Sequence, residues 1–271
     1  SDTSVKDVNS LKVQIQDEVE RYLEVEEILG KDKQPAPQMG CGQLSNPFQM
    51  REQANKLREE WKLGNDAIGN VQDVLEAHGI KVICTEAPLG FDGVSGVING
   101  KDYIVVLNKR QEHVERRRFT TMHELGHLLF DKHFSSVLTL REKEKLCDAF
   151  ASEMLLPSVV LQGIFSPGEK ISASEVRQLQ VIYGISFDAI MHKLHELDII
   201  NDSKYKTYCI RKNQNEALKR FVEDSCYNEA FSTKFETMVY AAAAKDLIST
   251  SKAASLLHSS VGTIRKHLNV I

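Results

Sequence analysis

The clearest chemistry in this chain lies in the run His123-Glu124-Leu125-Gly126-His127. Two histidines four apart on a helix share one face, so both imidazoles can reach one metal ion. The carboxylate beside the first of them can face the position that such an ion leaves open to water. With a cation polarising water and a peptide carbonyl there, Glu124 can act as general base and return the proton to the leaving amine. The chemistry implied is metal-assisted hydrolysis of a peptide bond. Two solvent-facing histidines would be the bland alternative. The apolar seam Met122, Leu125 and Leu129 in the same segment weakens it. So does Gly126. Glycine costs about 1 kcal/mol inside a helix, so its presence implies that a neighbouring backbone comes close.

A catalytic zinc needs a third protein ligand. The next helical stretch offers Glu142, Glu144 and Glu153, with Asp148 nearby. Glu144 and Asp148 lie one turn apart on one face. Asp148 stands among Leu146, Cys147, Phe150 and Ala151, where a carboxylate wants a partner, and an imidazole N–H would serve. For stabilising a developing oxyanion, Tyr183, His133 and Tyr103 are all open candidates, although His133 otherwise reads as a surface residue. His192 and His195 are three apart with no companion acid at a clear position, so they argue against a second metal site.

The elements that must position these residues follow from periodicity. Residues 9–29 read as an amphipathic helix ended by Gly30, and 31–48, with Pro35, Pro37, Gly40, Gly42 and Pro47, as a linker or extended loop. Asn46 or Ser45 caps a helix that begins at Pro47 and carries Met50, Ala54, Leu57 and Trp61. A second helix is expected after Asn65, through Ile68, Val71 and Leu75 to Gly79. The period then changes to short apolar runs, 80–84, 94–98 and 103–107, the last two joined through Asn99-Gly100. Asn-Gly between apolar runs is a hairpin signal. Tyr103, Ile104, Val105 and Val106 are the expected edge strand, onto which a substrate could add.

From Glu112 the chain reads as helix almost to its end. One helix carries the histidines, and another runs from about Leu140 to Leu156, stopped by Pro157. Two helix-turn-helix-like units follow, 173–197 with its turn at Tyr183-Gly184-Ile185-Ser186, and 249–268 with its turn around His258.

Composition sets the bounds. The chain has 271 residues, 42% hydrophobic and 27% charged, as an ordinary globular protein does. A formal net charge of -4 argues against a surface given over to nucleic acid. Arg265 and Lys266 on the last unit could contact DNA, but so few basic residues favour a packing role for it. The 5 cysteines are scattered without a Cys-x-x-Cys pair, which suits a reducing cytoplasm. The sequence shows neither a membrane-spanning run nor a signal-peptide pattern.

The segment Arg118-Phe119-Thr120-Thr121-Met122-His123-Glu124-Leu125-Gly126-His127-Leu128-Leu129, followed by Glu144, Cys147-Asp148-Ala149-Phe150-Ala151 and Leu155-Leu156-Pro157, resembles the ImmA/IrrE family of metallopeptidases. The likeness covers most of residues 50–200. Cys147-Asp148 stands where Ala-Asn is commoner, which brings the chain nearer the gluzincin pattern Glu-x-x-x-Asp. That resemblance implies Glu144 as the zinc ligand, with Glu142 its main rival, and Asp148 as the residue that orients a ligand imidazole.

The resemblance implies a cytoplasmic zinc endopeptidase that cleaves a helix-turn-helix repressor, relieving repression in prophages, mobile elements or stress responses. The fold it implies is α+β. A mostly helical zincin-like domain (49–160) with a small antiparallel sheet follows an N-terminal helix and linker (1–48). A helix-turn-helix-like module (161–205) and a C-terminal helical module (206–271) come after it. Val19 to Gly30 resembles the segment that follows an Xre-type DNA-binding domain in fused members, so with its non-Met start the chain reads as the C-terminal part of such a fusion. Two rival readings differ in kind. One is a regulator or antitoxin-like binder that keeps the scaffold without proteolysis, which the intact Glu124 opposes. The other is a peptidase whose cleft is covered by residues 31–48.

Overall fold

The computed structural model describes residues 5–30, 37, 39–88 and 90–268. Part of the expected linker, residues 31–36 and 38, lies outside them, and so does the question of its covering the cleft. The described residues begin with helix α1 (Val5–Ile28), ended by Gly30 at φ +58°. Helix α2 (Pro47–Glu60) starts where expected, with the Asn46 side chain accepting from the Gln49 N–H at 3.0 Å.

Helix α3 (Val71–Ala77) starts later than the sequence predicts, at the Asn70 cap. The carbonyls of Ile68 and Gly69 accept hydrogen bonds from the Arg118 guanidinium, which holds that stretch open as a loop.

Strands β1 (Ile80–Thr85), β2 (Gly93–Ile98) and β3 (Asp102–Asn108) form one sheet in the order β1-β3-β2. The β2–β3 hairpin is antiparallel as the Asn-Gly turn predicts, with both turn residues at positive φ. β1 pairs with the other side of β3 in parallel, so the sheet is mixed rather than antiparallel. This corrects the expected substrate edge. Tyr103, Ile104, Val105 and Val106 lie in the central strand, their backbone paired on both sides, and β2 is the edge.

Helices α4 (Val114–Phe130), α5 (Leu140–Leu155) and α6 (Ser158–Ile164) follow, with a 3-10 turn at Asp131–His133 after α4. The next pair, α7 (Ala173–Tyr183) and α8 (Phe187–Glu196), turns at Gly184, φ +59°. A Cβ there would lie 2.6 Å from the Arg118 Nε and 2.9 Å from the Tyr227 ring, so only glycine fits.

Beyond it come α9 (Asp202–Gln214), α10 (Glu216–Glu223), α11 (Lys234–Ala244), α12 (Thr250–Leu256) and α13 (Val261–Leu268). Residues 224–233, expected to be helical, form instead an extended strap. Backbone N–H groups of the strap bond to side chains far away in sequence: those of Cys226 and Tyr227 to Glu115, and that of Ser232 to Gln72. An internal helix would have used those donors itself.

The sheet stands between two apolar clusters. Val82, Val105 and Leu107 face the larger one, shared with α2, α4, α5, α7 and α8. Ile83, Ile104 and Val106 face the other way, toward Val19, Tyr22 and Val25 of α1 and toward α11 to α13. This is the period-2 alternation of a strand buried on both faces. Buried cations then tie helix ends together. Lys193 of α8 bonds the carbonyls of Ser152 and Leu156 and pairs with Glu153, and Arg58 bonds those of Gly64, Asp66 and Met154. No helix among the described residues is long and apolar enough to cross a membrane.

Candidate active site

Helix α4 presents His123, Glu124 and His127 on its one open side, while Met122, Leu125 and Leu129 bury in the core. Across from it, α5 turns Glu144 toward the same space. One donor atom from each of His123, His127 and Glu144 lies within 4.8 Å of the others. The His123 Nε2 is 3.1 Å from the Glu144 carboxylate and 3.1 Å from the His127 Nε2, which is 3.4 Å from Glu144.

The other nitrogen of each ring is held by an acid. Asp148 accepts from the His123 Nδ1 at 2.8 Å, and Asp131 accepts from the His127 Nδ1 at 2.8 Å. With both Nδ1 protons committed, each Nε2 offers a lone pair. Two lone pairs and a carboxylate oxygen converging at these distances repel one another unless positive charge lies among them. Both imidazoles take a proton more readily than usual, because of the acids bonded to them. For His123, burial pushes the pKa down but the bond to Asp148 outweighs it; for His127, the bond to Asp131 raises it against burial. Two imidazoles and one carboxylate are the donor set of a catalytic metal centre with an open position, so these residues fit a zinc ion.

Several sequence-predicted residues sort themselves here. Glu142 is occupied in the capping box of α5, its carboxylate accepting from the Thr139 N–H at 2.8 Å, and points away from the group. Glu153 is spent on Lys193. Asp148 meets His123, but not in the apolar setting its neighbours suggested. Its side chain is 53% exposed, because Cys147 and Phe150 point into the core while positions 144 and 148 share the open face.

Gly126 behaves as the sequence implies. A Cβ there would meet the Phe150 ring at 3.2 Å and the Cys147 Sγ at 3.4 Å, so α4 and α5 touch at this point. Cys147 lies buried beneath the imidazoles, and burial pushes its thiol far up, which keeps it protonated. Of the three oxyanion candidates, Tyr183 donates its hydroxyl to the Asn65 carbonyl and Tyr103 is in the central strand. Among the described residues no hydrogen bond joins either of these, or the His133 side chain, to His123, Glu124 or His127.

Three contributors escaped sequence reasoning. Asp131 lies one turn beyond His127, a helix-period signal that could have been read. Ser95 of β2 donates to the Glu124 carboxylate at 2.9 Å. Gly93 lets β2 lie against α4: a Cβ there would be 2.9 Å from Thr120 and from the Val106 carbonyl. Only the tertiary fold brings these two strand residues to the helix.

Residues 75–195 match the Peptidase_M78 family model, the IrrE N-terminal-like domain. The match runs from α3 through the sheet, α4 and α5 to the end of α8, and so encloses the whole group just described. It supports the ImmA/IrrE family and, with it, a metallopeptidase acting on protein. No curated protein matches the chain.

Proposed function

We propose that this chain is a zinc-dependent endopeptidase centred on His123, Glu124, His127 and Glu144. The observation that carries the proposal is the convergence of two Nε2 atoms and a Glu144 oxygen, with both Nδ1 atoms anchored by acids. Zinc held by His123, His127 and Glu144 supplies a Lewis acid that polarises the scissile carbonyl and acidifies water. Glu124 takes the proton from the attacking water and delivers it to the departing amine nitrogen. Ser95 holds one oxygen of Glu124 and so fixes the direction in which that carboxylate points. Asp148 and Asp131 keep the two rings in one tautomer and orientation. The free edge of β2 aligns the peptide, in place of the central strand expected from sequence.

The substrate, following the ImmA/IrrE resemblance, is a helix-turn-helix repressor in the cytoplasm, and its cleavage relieves repression. DNA contact by the chain itself is not part of this reading. Arg265 and Lys266 are exposed on α13, yet the acidic helix α1 packs in the same apolar cluster and pairs its Glu24 with Lys252 of α12 at 2.7 Å.

The test is incubation of the zinc-loaded protein with the helix-turn-helix regulator encoded beside it, with and without chelator. Cutting should require metal. Glu124→Gln should retain one zinc per chain yet lose at least about 100-fold in rate, the contribution of a positioned general base. A Glu124→Gln protein that still cuts, or a wild-type protein that binds no zinc, overturns the proposal.

A further inference from the structure

The open side of α4 continues past the metal group. Arg116, Phe119 and Thr120 precede His123 and Glu124 on the same face. Toward the start of α4 that face borders an open cavity of about 610 Å³, lined by α4, α7, α8, α9, α10 and the first strap residue. Phe119, Tyr205 and Val222 supply apolar walls, and the acids Glu115, Asp188, Glu223 and Asp224 are among its lining residues. Arg116, the one lysine or arginine in the lining, is committed to Asp92 at 2.6 Å.

The direction in which a peptide would cross this cavity can be read from the contacts of β2. Asp92 bonds Arg116, Gly93 abuts Thr120 and Glu124, and Ser95 bonds Glu124. Strand β2 and helix α4 therefore run the same way. A peptide adding antiparallel to the free edge of β2, the commoner and stronger pairing, runs the opposite way, from His127 toward Arg116. Its residues after the cleaved bond pass over the cavity. Phe119 is four residues before His123, about 6 Å along the helix axis, and an extended peptide advances about 3.3 Å per residue. The first or second residue after the cut is the one above the cavity.

We propose that this cavity recognises an arginine or lysine side chain one or two residues after the scissile bond. The inference rests on the peptidase reading above. A long aliphatic stem packs on Phe119, Tyr205 and Val222 while its charged head meets carboxylates, the arrangement that amphipathic cations favour. Glu115 already accepts from Gln180, Ser225, Cys226 and Tyr227, and Asp188 from the Tyr208 hydroxyl at 2.6 Å and from Lys212 at 2.5 Å. Glu223 lies 3.6 Å from Lys212, and the Asp224 carboxylate is in no ion pair among the described residues. Glu223 and Asp224 therefore carry the recognition. An apolar side chain of equal length would desolvate both without replacing their water, so the pocket rejects it.

The experiment digests a mixture of random-sequence dodecapeptides with the zinc-loaded full chain and reads the new ends by mass spectrometry. Arginine and lysine should be enriched at the first or second position after the cut. The double substitution Glu223→Lys and Asp224→Lys should abolish that enrichment while chelator-sensitive cutting persists. Cutting without basic enrichment, or enrichment that survives the substitutions, overturns the pocket and leaves the peptidase standing.

A second measurement does not depend on cutting. Glu124→Gln protein should bind N-acetyl-arginine amide about tenfold more tightly than N-acetyl-norleucine amide by calorimetry, equivalent to about 1.4 kcal/mol, and lose the difference in the doubly substituted protein. Equal binding of the two amides overturns the pocket. Arginine-selective binding in a protein that cuts no peptide retires the peptidase reading alone.

Discussion

At the scale of single residues, the candidate centre is a set of acceptors held in tension by acids behind them. Asp131 and Asp148 each bond the Nδ1 of a histidine and so set which nitrogen of that ring is free. Replacing such a partner typically weakens metal binding by about 10- to 100-fold. Asp131→Asn and Asp148→Asn should each fall in that range in a competition titration with a zinc chelator, with circular dichroism unchanged because both side chains are exposed. Unaltered affinity in both variants would remove these acids from the account. The two differ in how visible they are from sequence. Asp148 follows Glu144 by one turn, and its contact with His123 is made on an exposed face rather than in the apolar setting that its sequence neighbours suggest. Asp131 follows His127 by the same interval and could have been read in the same way.

At the scale of elements, the centre depends on how closely α4 approaches α5 on one side and β2 on the other. Gly126 and Gly93 set those two distances. A valine at position 126 would drive its methyl groups into Phe150 and Cys147, and overpacking of this kind costs about 1–3 kcal/mol. Gly126→Val should lower the unfolding midpoint in urea and also weaken zinc binding, because pushing α5 away carries Glu144 and Asp148 with it. A destabilised variant with wild-type zinc affinity would show that the helix contact does not position the ligands.

The face of α4, the role of Gly126 and the β2–β3 hairpin were all legible, because each is a local pattern: period, propensity, turn chemistry. The place of β1 was not. Its apolar run is compatible with either neighbour and either direction, and its parallel pairing puts β3 in the middle through packing of α1 and α3 on opposite faces. For the same reason the free edge beside α4 is β2 rather than β3, and Ser95 went unnoticed.

At the scale of the molecule, the strap is the feature that local patterns hide most completely. Glu115, in the first turn of α4, accepts from the backbone of Cys226 at 2.8 Å and of Tyr227 at 3.2 Å, and from Gln180 at 3.1 Å. Burial alone would push its carboxyl up, but bonds from Ser225, Cys226 and Gln180 outweigh it and hold the pKa below the usual carboxylate value of 4.5. A depressed carboxylate stabilises the fold above its unfolded pKa, and that contribution is lost as pH falls through the folded one. Glu115→Gln should therefore destabilise the protein at pH 7, and its deficit against wild type should shrink below about pH 4.5, as read by thermal unfolding across pH. A deficit that stays constant over that range would mean that the strap is not held through the charge of Glu115.

Beside this carboxylate sits Arg118, fully buried, with the carbonyls of Ile68, Gly69 and Gly184 and the carboxylate of Glu229 around its guanidinium. A ribosome delivers those partners in order, the loop before α3 first and Glu229 last. Until Glu229 emerges, a growing chain has a cation to bury and no anion to bury with it, a costly arrangement. The helix that bears His123 and His127 is thus tied through Arg118 to a partner 111 residues further along the chain, and its full burial is expected only once that partner is present.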